Sequence, residues 1–523
     1  MNSRGQRIRW YGPGDVSAFC GLAVDNLTNL VVLAGLLVGV FHFPPELVLY
    51  RIIPGTALGV LVGDLVYTWL ALRLARETGR SDVTAMPFGI DTPSLFGITF
   101  GVVGPVMVAT KSPILAWKVG MGATVAMGTV KLVLAFGGDW VRRAVPRAGL
   151  LGSIAGVGIL LIAFLPALKI FADPLVGFVS LGLVLVALVG RRRLPGGFPG
   201  ALAAVAAGSL VHLVERAISG GSGAAPLGDP AVWRLGIPWP TLGWLDAVDE
   251  TWTALSVAMP FALATVVGGI DNTESAIAAG DDYRTRDILL TEAVATILAG
   301  TCGGVIQNTP YIGHPAYKAM GARAGYTLAT GLVIGVGSMV GVVSLLVGLI
   351  PESAVAPILI FVGVEITAQA FLATPPRHAP AVALSFVPVV AALVLIEVGE
   401  VLTALGKGPQ DLSGDAALQL ETVRILGNGF ILTALIWGSA AALLVDGRLV
   451  GAASAFAVAS AGSLIGLIHS PLASGGLFWP GTEPSTWPPR LAGAYGLLVA
   501  LLVFLQPWVQ PTTDSVGSTV AQA

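Results

Sequence analysis

Asp25-Asn26 recurs as Asp271-Asn272, and Asp91-Thr92-Pro93 recurs as Asn308-Thr309-Pro310, each set in apolar surroundings. Acids, amides and hydroxyls are costly inside apolar spans and mark places where something polar is handled. Their chemistry is hydrogen bonding, proton exchange and charge compensation. The sets appear in the same order once per half, which implies an internally duplicated membrane protein that moves a solute. On a helix, Asp25, Asn26 and Asn29 fall within about a turn and share a face. Asp271, Asn272, Glu274 and Ser275 do likewise. Asp271 and Glu274, three apart, form a pair able to hold a proton, and are the expected proton-coupling residues. No nucleophile–base pair, phosphate-binding loop or metal-ligand cluster is legible, so neither an enzyme nor a cofactor is expected.

The other two marks sit where helices must break. In 84–105, Pro87, Gly89 and Pro93 disfavour a continuous helix. Thr92 before Pro93 reads as a helix start, with a side-chain oxygen for the cap and proline at the first helical position. The expectation is an extended stretch to Asp91 and then a half-helix. In the second half, Cys302–Asn308 is the extended part and Thr309-Pro310 starts the second half-helix. Extended backbone at membrane depth survives only against protein or a polar cavity. Two half-helix N-termini from opposite sides would suit an anionic or amide-like small molecule, such as a nucleobase edge. The expected substrate contacts are Asp25, Asn26, Asp91, Thr92, Ser94, Asp271, Asn272, Glu274, Gln307, Asn308, Thr309 and His314. Asp64, Glu292, Glu365, Glu397 and Glu400 read as helix-packing or gating residues instead.

The elements that must position these residues are membrane helices. Of 523 residues, 55% are hydrophobic and only 11% charged, against roughly 25% charged in soluble proteins. Mean hydropathy is +0.83. Runs such as 52–72, 149–168, 175–189 and 427–445 approach the ~20 apolar residues that cross a bilayer. The alternating ten-residue pattern of a β-barrel is missing. A net charge of −2 points to no nucleic-acid partner, and Cys20 and Cys302 suggest no disulfide framework.

Basic clusters lie at every second connection: Arg4/Arg7/Arg9, Arg73/Arg76/Arg80, Arg142/Arg143/Arg147, Arg191–Arg193, Arg284/Arg286 and Lys318/Arg323. Basic loops stay cytoplasmic, which puts the N-terminus inside a plasma or inner membrane. The organisation reads as a cytoplasmic N-terminus (1–14), a first seven-span repeat (15–217) and an external linker (218–250) carrying Trp233, Trp239 and Trp244. A second seven-span repeat (251–445), additional membrane segments (446–510) and a polar tail (511–523) follow. Within these, 403–422 and 470–490 read as loops. An odd span count per repeat gives an inverted repeat, common among secondary transporters.

At Met259-Pro260-Phe261-Ala262, Gly269-Ile270-Asp271-Asn272-Thr273-Glu274, Gly300-Thr301-Cys302-Gly303 and Asn308-Thr309-Pro310-Tyr311 the chain resembles the nucleobase–cation symporter 2 (xanthine/uracil permease) family, including its adenine/guanine/hypoxanthine branch. The resemblance covers roughly residues 15–373. It implies fourteen spans in two inverted repeats of seven, a core domain and a gate domain that often dimerises, and a strand plus half-helix at spans 3 and 10. It also implies secondary active transport of a nucleobase, a purine foremost, by an elevator motion coupled to protons or sodium. The family's span-eight acid maps to Asp271 or Glu274. Many relatives carry a glutamate just after the tyrosine turn, where this chain has Gly313 and His314. The competing expectation is a sulfate- or bicarbonate-like anion transporter of the same architecture.

Overall fold

The computed structural model describes residues 9–137, 146–192, 194–195, 198, 200–218, 234–311, 313–472, 475–482 and 484–509. Arg4, Arg7, Arg142, Arg143, Arg193, the linker stretch 219–233 with Trp233, and the tail 511–523 lie outside the described residues. The protein is a polytopic all-α membrane protein with two broken spans, as expected. Among the described residues eight helices are long and apolar enough to cross a bilayer, or up to ten if each bent helix pair counts as one span.

The chain divides into two compact units. The first comprises Met1–Ala144, Ile154–Ala368 and Leu472–Leu477. Its first half runs α1 (Asp15–Val40), α2 (Pro45–Thr78), β1 (Phe88–Ile90), α3 (Thr92–Thr110), α4 (Pro113–Leu134), α5 (Arg147–Ala172, in this unit from Ile154), α6 (Pro174–Val189) and α7 (Gly200–Ile218). Its second half runs α8 (Val248–Ala278), α9 (Thr285–Thr301), β2 (Asn308–Pro310), α10 (His314–Ala319), α11 (Gly325–Met339), α12 (Val342–Leu349) and α13 (Glu352–Leu372, in this unit to Ala368). The other unit holds α14 (Pro376–Leu402), α15 (Gly414–Gly427), α16 (Phe430–Val445), α17 (Leu449–Leu464) and α18 (Trp487–Leu505). The expected loop at 403–422 is therefore helical from Gly414, and α15 meets α16 at a 68° bend. Gly429, in the left-handed region at φ 70°, supplies that corner.

Both breaks fall in the first unit and solve the backbone problem together. β1 and β2 pair antiparallel, Phe88 with Pro310, Gly89 with Thr309 and Ile90 with Asn308. The pairing extends through Asp91 N–H to Gln307 O (3.0 Å) and Tyr311 N–H to Pro87 O (2.8 Å). Further along, Ala85 N–H reaches Arg323 O at 2.8 Å. Lipid offers no partner for extended backbone, so each broken span supplies the other's.

The second half-helix starts later than the sequence suggests. Thr309 and Pro310 are strand residues, and helix resumes at His314 as the six-residue α10. The physical reason is that Thr309 is opposite Gly89 in the ribbon, while the Pro310 carbonyl is taken by Asn272. The first break does follow expectation, offset by one residue. Asp91 is the cap, with its side chain accepting from Ser94 N–H, and Thr92 is the first helical residue.

Apolar packing holds the ribbon in place. Phe88 is buried and meets Tyr67 edge-on at 5.1 Å, within a cluster that includes Leu70, Met86, Ile288 and Tyr326. Large apolar side chains elsewhere, such as Leu210, Ile218 and Leu497, are exposed, which suits lipid contact rather than water. A Cβ on Gly89 would collide with Asn26 Oδ1 and Tyr311 Oη. Gly89→Ala is therefore expected to cost about 1–3 kcal/mol through overpacking. A thermal melt in detergent equal to that of the parent protein would show the ribbon to be looser than described.

Candidate functional site

A ribbon of two strands has two outer edges, and here side chains close both. On the β1 edge, Ile90 N–H donates to Asn26 Oδ1 (3.1 Å) and Asn26 Nδ2 donates to Phe88 O (3.4 Å). Tyr311 Oη donates to Ile90 O at 2.8 Å. On the β2 edge, Asn308 N–H donates to Thr296 Oγ1 (3.3 Å) and Asn272 Nδ2 donates to Pro310 O (2.7 Å). The two asparagines that repeat in the sequence thus do the same work, each on its own half's strand.

Lys131 of α4 completes the β2 edge. Its ammonium donates to Asn308 O at 3.0 Å and pairs with Glu292 of α9 at 2.7 Å, both side chains being essentially unexposed. Glu292 lies against Gly269 of α8, where a Cβ would come within 2.9 Å of its Oε2. A buried ion pair repays the desolvation of its charges only with good geometry and further hydrogen bonds, so its place at the crossing is informative. The Asn308 side-chain amide lies beside Gly59, fully buried, with neither its oxygen nor its nitrogen hydrogen-bonded among the described residues.

A second knot joins the start of α3 to α8. Asp91 accepts from Ser94 N–H (3.1 Å), from Ser94 Oγ and from Gln307 Nε2 (3.2 Å). Gln307 Nε2 also reaches Ser94 Oγ (2.5 Å) and Phe261 O (3.1 Å), while Thr265 Oγ1 donates to Gln307 Oε1 at 3.4 Å. Thr92 Oγ1 donates to Asn29 Oδ1 (3.0 Å), and Asn29 Nδ2 to Tyr311 Oη (3.3 Å). The amino end of α3 is thus filled by the chain's own carboxylate.

Of the sequence-selected residues, Asn26, Asp91, Thr92, Ser94, Asn272, Gln307, Asn308 and Thr309 gather at or beside the crossing. Asp25, Asp271 and Glu274 are partly buried on the helices that flank it, and Asp271 and Glu274 both have partners. His314 does not join them. Its Nε2 faces Thr84 O (3.1 Å) and Asp281 Oδ2 (3.2 Å) at a separate ionic cluster. There Asp281 also meets Lys318 at 2.5 Å and Arg80 at 3.2 Å. Sequence reasoning missed Lys131, although a lysine in the run 119–136, otherwise without charge, is a signal. It also read Glu292 as a helix-packing or gating residue, having no partner for it. Among the described residues no three His, Cys, Asp or Glu side chains gather as a metal site. A cleft of about 50 Å³ between Arg73, Glu77, Tyr283 and Asp287 lies apart from the crossing; it would hold a water or two.

No protein-family model matches the chain, and no curated protein matches it by sequence. Among solved structures, it is similar to the transmembrane domain of a cyanobacterial bicarbonate transporter, BicA. The identity is 17% and the TM-score 0.49, over 81% of this chain and 96% of that one. It is similar also to SLC26A9, at 12% identity and TM-score 0.48, over 75% of this chain and 65% of that one. Murine SLC26A9, an anion transporter in the inward-facing state, gives 14% identity and TM-score 0.46, over 75% and 68%. The expected membership of the nucleobase–cation symporter 2 family is corrected: no family model, that family's included, matches the chain.

Two tests follow from the geometry. Replacing Gln307 by alanine strips partners from Asp91, Ser94 and the Phe261 carbonyl, at about 1–3 kcal/mol for each buried group left unpaired. A melt unchanged in Gln307→Ala would show that water already serves these groups. At the ionic cluster, burial opposes ionisation of Asp281, but His314, Lys318 and the Thr84 amide outweigh it and hold the carboxyl below its ordinary value. A depressed carboxylate contributes stability that is fully present above the unfolded value of 3.8 and lost as pH falls through the lower folded value. Melting temperature should therefore drop as pH falls below 3.8, and Asp281→Asn should flatten that drop. Parallel acid profiles in the two proteins would exclude this role.

Proposed function

We propose that the chain is a secondary active transporter of a small anion, with Lys131 as the counter-charge at the crossing of the two broken spans. The observation that carries this reading is the buried ammonium, held by Glu292 and the Asn308 carbonyl beside a side-chain amide that has no hydrogen-bond partner among the described residues. An ionisable group kept in a membrane interior is a functional candidate by default.

The chemistry is a partner exchange. While Glu292 is ionised, it neutralises Lys131 and leaves no net charge for a solute. When Glu292 takes a proton, the ammonium is released to an entering anion, and the Asn308 amide offers an N–H to the same oxygen set. A planar oxyanion of bicarbonate size, or sulfate, meets both donors. Proton and anion then travel as a neutral pair, which removes most of the electrostatic cost of crossing. Asp271 and Glu274, on the helix that packs against Glu292, are proposed to relay the proton. The helices that clamp the ribbon would carry the solute across as a body, in an elevator motion.

Lys131→Gln removes the charge and keeps a donor. Uptake of radiolabelled bicarbonate or sulfate into proteoliposomes is expected to vanish in this variant while the protein still melts cooperatively. Uptake that survives without the ammonium would end the anion reading, as would saturable uptake in the parent protein of a neutral base such as uracil but of neither anion.

A further inference from the structure

The crossing does not use every buried charge in the first unit. Asp64, midway along α2, has no exposed surface, and neither carboxyl oxygen has a hydrogen-bond partner among the described residues. It lies in the seam between α2 and α11. Thr68 Oγ1 and Thr327 Oγ1 meet at 2.8 Å. One turn away, a Cβ on Gly331 would come within 2.9 Å of Asp64 Cβ, and Gly335 packs on Leu61 beyond that. The small residues of α11 let the two helices close tightly over the carboxyl.

The surrounding titratable groups do not supply a counter-charge. On its own helix Tyr67 turns its hydroxyl to Ile288 O, and on α11 Tyr326 turns its own to Ala85 O. Tyr317 of α10 stacks on Tyr326, with ring centroids 5.0 Å apart. Glu292 of α9 is a second acid and is already paired with Lys131. Among the described residues no lysine, arginine or histidine donates to either Asp64 oxygen. A bare carboxylate in such a place would carry a Born cost that no contact offsets, whereas a carboxylic acid needs only to satisfy one O–H.

We propose that Asp64 is a proton-binding site, separate from the Lys131–Glu292 pair, which the closed α2–α11 seam keeps loaded. The bond that forms is O–H on one carboxyl oxygen, with the proton taken from water. The reverse step returns the proton to water when the seam opens enough to hydrate the carboxylate. The ligand proposed is a proton rather than a metal cation, because among the described residues no three His, Cys, Asp or Glu side chains gather at the carboxyl. The inference rests on the membrane fold and not on the nature of the solute.

The test is infrared difference spectroscopy on the full chain in lipid vesicles, parent against Asp64→Asn, at neutral pH. The expected result is a protonated-carboxyl absorption in the parent that shifts in heavy water and is missing from the variant. If Asp64→Asn does not fold, Asp64→Ser, which is smaller and cannot crowd Gly331, takes its place. A parent spectrum with only carboxylate at that difference overturns the proposal, as does a carboxyl band that sodium titrates away at constant pH. Because neither readout involves transport, failure of the anion reading leaves this result standing, and the converse also holds.

Discussion

The rest of the first unit depends on one constraint: extended backbone inside a bilayer must find every hydrogen bond within the protein. Two strands of three residues each can satisfy only their facing edges. The outer edges need donors and acceptors from side chains, and these must come from helices close enough to touch. Asn26, Asn272, Thr296 and Lys131 are those groups, while Tyr311, directly after β2, serves the Ile90 carbonyl. Their presence fixes which helices flank the ribbon and how near they approach. Gly59, Gly63 and Gly89 follow from the same demand, since each sits where a Cβ would strike the ribbon or its clamps.

The same constraint concentrates polarity. Once an asparagine and a lysine are brought to membrane depth to serve backbone, their remaining valences are available for something else. Asn272 is used on the Pro310 carbonyl, but Lys131 keeps enough capacity to hold Glu292 as well. The ion pair therefore grows from an architectural requirement, and a solute site at this place needs little added machinery.

Much of this was legible in residue order, and the failures have physical causes. Pro87, Gly89 and Pro93 announced the first break because each bears directly on local backbone freedom. The pairing of the two breaks could not be read, since three-residue strands carry no alternation to detect and their partner lies 220 positions away. The start of α10 was misplaced because Thr-Pro is a good local cap signal, but the long-range pairing of Thr309 with Gly89 overrides it. His314 was grouped with the crossing by its nearness in sequence, and the turn at Gly313 sends it to Asp281 instead. Lys131 is a lone charge in an apolar run and Glu292 a buried acid, but only their meeting across α4 and α9 gives them a role. In the other unit, the polar composition of 403–422 suggested a loop, yet Gly414–Gly427 folds as a helix.

The self-capping of α3 has a kinetic corollary. The partial positive charge at that helix end is occupied by Asp91, a ligand tethered one residue away. A guest approaching this pole competes with an intramolecular rival whose local concentration far exceeds any in solution. Occupancy there would be brief and weak, so the end of α3 favours quick turnover over tight retention.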